Sequence, residues 1–336
     1  MKFINIITVP YILSILFILS STNIYSQSWF ILNNGDHPDD INGIDFTDSN
    51  TGYAAGELGK IYKTTDGGNH WNQRLSVVTS AYLWTVSFAD QETGWAAGSE
   101  GTIIKTTNGG ENWVLQNSTT LSSIINVYFI NSLTGWAAGH NGKVLRTTNG
   151  GINWVSLFTN TPSNIFNVYF IDPDTGWFAS DAGVFKSVNG GNSWQRIFAM
   201  SSVYCSKFIN SNTGWAGVRY GAIYKTTNSG LNWVQQVSTS PGSINFFKFI
   251  NDNTGWAVGD NKTIWKTINA GDNWIIQESG ITAVSDFRCA DTYDESGSKI
   301  FIAGFKNFIL SSTNGGISWT NRVLAGPGNS YFTSAD

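Results

Sequence analysis

Charge is scarce in this chain. Asp, Glu, Lys and Arg make up 12% of its 336 residues, and the formal net charge is -4. Nucleic-acid binding needs a basic face, so the composition argues against such a partner. No run of like charge marks an acidic or basic tail. Cysteine is limited to Cys205 and Cys289, and the three histidines, His37, His70 and His140, show no metal-ligand spacing. What the chain has instead is 36 Gly and 14% aromatics, 15 of them Trp. Such a chain suits many tight turns between flat sheets stacked face to face.

The stretch Thr64-Thr-Asp-Gly-Gly-Asn-His-Trp71 returns six more times, ending at Trp113, Trp154, Trp194, Trp233, Trp274 and Trp319. The intervals between these Trp are 42, 41, 40, 39, 41 and 45 residues. A period of ~40–45 residues with fixed turn and aromatic positions marks a β-propeller blade. Asp66 holds the acid position in the first copy, and Asn108, Asn149, Asn189, Asn228, Asn269 and Asn314 replace it in the others. Asp or Asn there is expected to bond backbone amides two residues on. The Gly that follows supplies positive φ, and the preceding Thr or Ser adds a hydroxyl bond. The Trp then seals the hairpin.

Each repeat carries three further pieces. A short β-branched and aromatic segment ends in Phe46, Phe88, Phe129, Phe170, Phe208, Phe249 and Phe287. A second segment of small residues and one aromatic follows, as in Thr93-Gly-Trp-Ala-Ala-Gly98, with a degenerate seventh copy at Lys299-Ile-Phe-Ile-Ala-Gly304. Its small residues allow close sheet approach. A third strand, such as Thr102-Ile-Ile-Lys105, runs into the turn motif, and a fourth starts at the motif's Trp. The reading is an all-β, seven-bladed β-propeller of four-stranded antiparallel blades. Its repeats lie near 42–82, 83–123, 124–164, 165–203, 204–244, 245–282 and 283–324. Ser28-Trp-Phe-Ile-Leu32 resembles a stray fourth strand, and residues 325–336 a tail or closing strand that includes Asn329-Ser-Tyr-Phe332. Eight blades in a shortened chain is therefore the alternative.

Residues 1–26 read as a secretory signal peptide: one Lys, a long apolar run through Leu19, then small polar residues. A retained membrane anchor is the competing reading. The mature propeller, 27–324, is expected to be secreted, periplasmic or on the cell surface.

The turn motif resembles the Asp-box, or bacterial neuraminidase repeat. Joined to the preceding T-G-W-A-A-G strand, the repeat resembles the photosystem II stability/assembly factor-like family, and more distantly the propellers of sialidases and sortilin-like receptors. The resemblance covers roughly residues 42–324. It implies a scaffold that binds proteins while a membrane complex is assembled, by way of an arginine patch. The six Arg here, at positions 74, 146, 196, 219, 288 and 322, are scattered over different pieces of the repeat. Of a sialidase's converging arginines and N-terminal Phe-Arg-Ile-Pro, only Phe287-Arg288 has a trace.

Chemistry-bearing clusters are thin. Asp172, Asp174 and Asp252 sit where other repeats carry Asn131 and Ser132, so they read as turn residues rather than a glycosidase pair. Asp36-His-Pro-Asp-Asp40 reads as a solvated loop before it reads as a calcium site. Cys205 lies three residues before its repeat Phe and Cys289 two after, which predicts opposite strand faces and two buried thiols without a disulfide. The basic residue before six of the seven motifs (Lys63, Lys105, Arg146, Lys186, Lys225, Lys266) is expected to lay its stem over a neighbouring aromatic. Positions that do not repeat say more about function. On the face opposite the Asp-box hairpins these are Glu57, Glu100, His140, Asp181, Arg219, Asp260 and Lys306, with interblade loops such as Phe158-Thr-Asn-Thr-Pro162. Mixed charge and varied identity on loops suit a contact surface. The expectation is an exported, non-catalytic monomer that takes no metal or other cofactor and binds a protein partner. A carbohydrate-active hydrolase or glycan-binding surface protein is the alternative.

Overall fold

The computed structural model describes residues 40–323, apart from 75–77, 239, 282–284, 295 and 306–307. The signal segment, Ser28–Leu32, most of the Asp36–Asp40 cluster, residues 325–336 and Lys306 fall outside that set. Seven four-stranded antiparallel sheets follow one another, each built from four consecutive strands. The first strands of the blades are Ile41–Phe46, Leu83–Phe88, Ile124–Phe129, Ile165–Phe170, Val203–Phe208, Ile244–Phe249 and Phe287–Asp291. These pack against one another around the centre. Blades 1, 5 and 6 thus begin one residue ahead of the repeat boundaries drawn from sequence.

Apart from Thr175 at the start of the fourth blade's, every second strand is buried along its whole length, because a blade is covered on both faces by its neighbours. In every blade but the sixth, the large aromatic of that strand lies flat on the inner-strand Phe of the next blade. Trp95 stacks on Phe129 with centroids 3.4 Å apart, Trp136 on Phe170 at 3.6 Å, and Trp177 on Phe208 at 4.4 Å. The Asp-box Trp then meets its own blade's Phe edge-on, as Trp154 meets Phe129 at 5.9 Å. Gly135 is obligatory in this arrangement, since a Cβ there would stand 2.5 Å from the Phe129 ring.

The ring closes with seven blades, which excludes the eight-bladed alternative. Phe46 of blade 1 stacks on Phe301 of blade 7 at 4.3 Å, and its N–H donates to Asp291 Oδ2 at 2.6 Å. Cys289, Ala303 and Ile309 share a core with Ile41, Ile44 and Tyr62. Among the described residues no sheet borrows a strand from another repeat.

Blade 7 corrects one alignment. Phe287 pairs with Gly304, as Ile41 pairs with Gly56, so it opens its strand rather than closing it. Asp291 opposite Phe301 then matches Asp45 opposite Tyr53. The position of the repeat Phe falls on Thr292, and the glycine it normally covers is Ile300. Both changes occur together because a ring and a Cβ cannot share that space. The same shift corrects the cysteines. Cys205 opposite Gly217 and Cys289 opposite Ala303 occupy equivalent positions on blades 5 and 7, not opposite faces. Both are buried free thiols.

The Asp-box also differs from expectation in reach. Asp66 Oδ1 accepts from the amide of His70, four residues on, and Asn149 Oδ1 does so from Asn153, each at 2.9 Å. One oxygen suffices, which is why Asn can replace Asp. The Thr64 and Thr147 hydroxyls accept from Gly68 and Gly151 at 2.9 Å. The basic residues behave as expected: Lys63, Lys105 and Arg146 lie 5.1–5.5 Å from the ring centroids of Tyr53, Trp95 and Trp136. Lys63 also donates to Gly109 O of the next blade's Asp-box at 2.7 Å, and Lys266 to Gly315 O at 2.6 Å. The motif is therefore a blade-to-blade latch as well as a hairpin lock.

Candidate functional site

The loops joining second to third strands and the interblade loops meet at one end of the disc. His140 N donates to Ser123 O, Asp181 N to Asn164 O, Arg219 N to Ser202 O and Asp260 N to Ser243 O, all at 3.0–3.1 Å. The backbone is fixed there while the side chains are free to vary. Glu57, His140, Asp181, Arg219 and Asp260 occupy equivalent turn positions in five blades. Glu100 falls one residue later in its turn, at a φ of 56°. Each residue stands in a different blade, so they form a circle around the rim and no common cluster. Asp260 bonds Asn245 Nδ2 at 2.7 Å, and the Arg219 guanidinium lies 5.1 Å from the Tyr220 ring.

Large apolar side chains stand among these charges. Leu121 is 87% exposed, Phe158 76% and Tyr220 75%, with Leu58 and Tyr82 also open. A cavity of about 620 Å³ lies at Leu121, lined by Glu100, Thr102, Leu115 and the 117–121 loop.

The arginines do not converge. Arg74 pairs with Glu111 at 3.2 Å, Arg146 covers Trp136, Arg288 lies 4.0 Å from the Phe305 ring, and Arg322 bonds Ser311 at 2.8 Å. Asp172 is the turn residue the sequence indicates, its Oδ1 taking the amides of Asp174 and Thr175 at 2.8 and 2.7 Å.

A second site lies in the central channel, and sequence reasoning missed it. One position of each inner strand, opposite the second-strand aromatic, is occupied by Asp45, Ser87, Tyr128, Tyr169, Lys207, Lys248 and Asp291 in turn. Three of them cap the next blade. Asp45 accepts from Phe88 N at 2.6 Å, Asp291 from Phe46 N at 2.6 Å, and Tyr169 Oη from Phe208 N at 2.7 Å. Asp291 also pairs with Lys248. Burial, with Asp291 nearby, pushes the Asp45 carboxyl up to about 8. Burial, reinforced by Lys248, pulls Lys207 down to about 8. Burial works against the Lys248 charge too, but Asp291 outweighs it and holds that ammonium above the usual lysine range. The available signal was the residue just before the repeat Phe, which changes from blade to blade while its neighbours repeat.

A cavity of about 520 Å³ opens at the other end of this channel, on the Asp-box side, lined by blades 3–6. The two ends of the disc thus differ in chemistry: exposed apolar and charged loops at one, a walled mouth above a charged ring at the other.

Comparison with known proteins places this architecture. No individual curated protein matches the chain. A structure described as YCF48 bound to D1 peptide superposes with a TM-score of 0.70 at 20% identity, over 85% of this chain and 100% of that one. YCF48 from Cyanidioschyzon merolae gives 0.65 at 18%, over 85% and 98%. The GH74 xyloglucanase from Xanthomonas campestris gives 0.70 at 11%, over 88% of this chain and 56% of that one. At these identities the superpositions show a shared fold. The model of the photosynthesis system II assembly factor YCF48 family matches residues 22–121, 115–248 and 244–331. The chain belongs to the photosynthesis system II assembly factor YCF48 family.

Proposed function

We propose that this protein is an exported, non-catalytic β-propeller that binds a protein partner, in the assembly or stabilisation of a cell-envelope or membrane complex. The observation that carries the reading is the rim, where Leu121, Phe158 and Tyr220 stand 75–87% exposed beside Glu100, Asp181 and Arg219. Aromatic and aliphatic anchors ringed by charge, with Arg among them, are the composition of protein interfaces. A relative of the same fold is described as bound to a D1 peptide, which supports a polypeptide ligand. The carboxylates at the channel, Asp45 and Asp291, are used on backbone amides and Lys248, an arrangement that serves the ring rather than bond cleavage.

The test is affinity capture from the envelope fraction with the wild type and with Phe158→Glu, Tyr220→Glu and Leu121→Glu. The rim variants lose the partner at least about tenfold if these side chains are anchors. Ile152→Glu and Leu231→Glu, on Asp-box hairpins 72% and 83% exposed, retain it. Equal capture by all variants removes the rim assignment. N-terminal sequencing of the mature protein checks export: a start near Gln27 is expected, and an intact Met1 in the cytosolic fraction overturns it.

A further inference from the structure

The channel mouth on the Asp-box side is not symmetric. The residue following the inner-strand aromatic is Ile130, Ile171, Ile209 and Ile250 on blades 3–6, all lining the cavity of about 520 Å³. On blades 1 and 2 the same position holds Thr47 and Ala89. An apolar arc therefore covers one side of the mouth. Beside the isoleucines the lining includes the inner-strand Phe of each of these blades and Tyr128, Tyr169 and Lys207 of the channel ring, with Asn251 and Asp252 exposed at the lip.

Lys207 is the informative member. Its neighbour Lys248 is matched by Asp291, whereas the Lys207 ammonium lies 4.5 Å from the Tyr169 ring centroid and makes no described ion pair. The π face offsets part of the lost hydration. An ammonium partly withdrawn from water remains costly when the carboxylate acting on it, Asp291, is engaged by Lys248, and an anion brought to it is correspondingly favoured. The cavity volume lies in the range of small-ligand sites, which combine apolar walls with a few polar fixtures.

We propose that the channel mouth between blades 3 and 6 binds a small apolar carboxylate, with Lys207 Nζ donating to the carboxylate and the isoleucine arc holding the hydrocarbon. A free aliphatic acid and the C-terminal residue of an apolar peptide both present this chemistry. The site is at the opposite end of the disc from the rim and does not depend on the protein-partner reading.

The test titrates the mature full chain by calorimetry with octanoate, octanamide, and an apolar pentapeptide as free acid and as amide. Saturable binding of either carboxylate is expected, with the matching amide at least about tenfold weaker, since a charge-assisted bond is lost. Octanoate alone binding assigns a free acid, and the peptide acid alone assigns a chain terminus. Lys207→Met loses binding by about tenfold or more while unfolding no earlier than the wild type, and Lys207→Arg retains it. Ile171→Asp, at a position already 40% exposed, also loses binding. Asp252→Asn strengthens binding by about twofold, the small effect of an exposed lip charge. No binding of either carboxylate, equal binding of acid and amide, or undiminished binding by Lys207→Met overturns the proposal. Phe158→Glu binding octanoate normally while losing the protein partner separates the two sites.

Discussion

Trp95 of blade 2 lies on Phe129 of blade 3 with planes inclined by 7°, and its Nε1 donates to Gly150 O in the same blade's Asp-box at 3.3 Å. One side chain thus joins two blades through both a ring face and a hydrogen bond. Trp95→Ala leaves a void at the interface and is expected to cost about 3–5 kcal/mol. Urea unfolding followed by tryptophan fluorescence and circular dichroism measures it. A loss under about 1 kcal/mol would mean that the blades repack over the gap.

Within the Asp-box the hydroxyl and the amide are not equal. Thr147 is buried, at 1% exposure, and its oxygen takes the Gly151 amide, whereas the Asn153 amide served by Asn149 is at the surface. Thr147→Val strands a buried donor and should cost about 1–3 kcal/mol, while Asn149→Ala costs about 1 kcal/mol and Asn149→Asp little. The reverse order in thermal unfolding would refute this division of labour.

Asp45 makes stability depend on pH in a direction opposite to most carboxylates. Its pKa rises from 3.8 unfolded to about 8 folded, so between these values the folded state holds the proton that the unfolded state has released. Its contribution is complete below about pH 4 and is lost as pH rises toward 8. Asp45→Asn should flatten the melting-temperature profile across that window. For Lys207, depressed from 10.5 to about 8, the sign reverses, and stability recovers from about pH 8 to 10.5. Lys207→Met removes that upper limb.

Cys205 and Cys289 are two blades apart, and burial pushes both thiols up. Neither should react with a thiol-specific disulfide reagent in the native protein, and both should react in denaturant. A mass two hydrogens short in the intact, non-reduced chain would contradict the blade assignment.

Much of the fold was legible in local pattern. Tight turns, flat aromatics and small-residue strands have short-range causes, so a period read from Trp71 to Trp319 carries directly to seven sheets. Blade 7 was less legible because two compensating changes, Thr292 for Phe and Ile300 for Gly, erased both markers that set the register. The rim positions could be read, since a variable loop next to a repeated strand announces itself. How their side chains lie could not, because nothing local fixes them.

The channel ring separates the two kinds of information most clearly. Sequence alone determined the repeat and the hairpin lock, since each depends on residues within one turn or strand of each other, whereas closure between blades 1 and 7 decided that the ring has seven blades. Only the closed circle decided that Asp45, Lys207, Lys248 and Asp291 share one buried environment. They lie some 40 residues or more apart, and no propensity or motif couples them. Their charges interact because the first strands of blades 5, 6, 7 and 1 converge on a single axis, and the desolvation there sets their protonation.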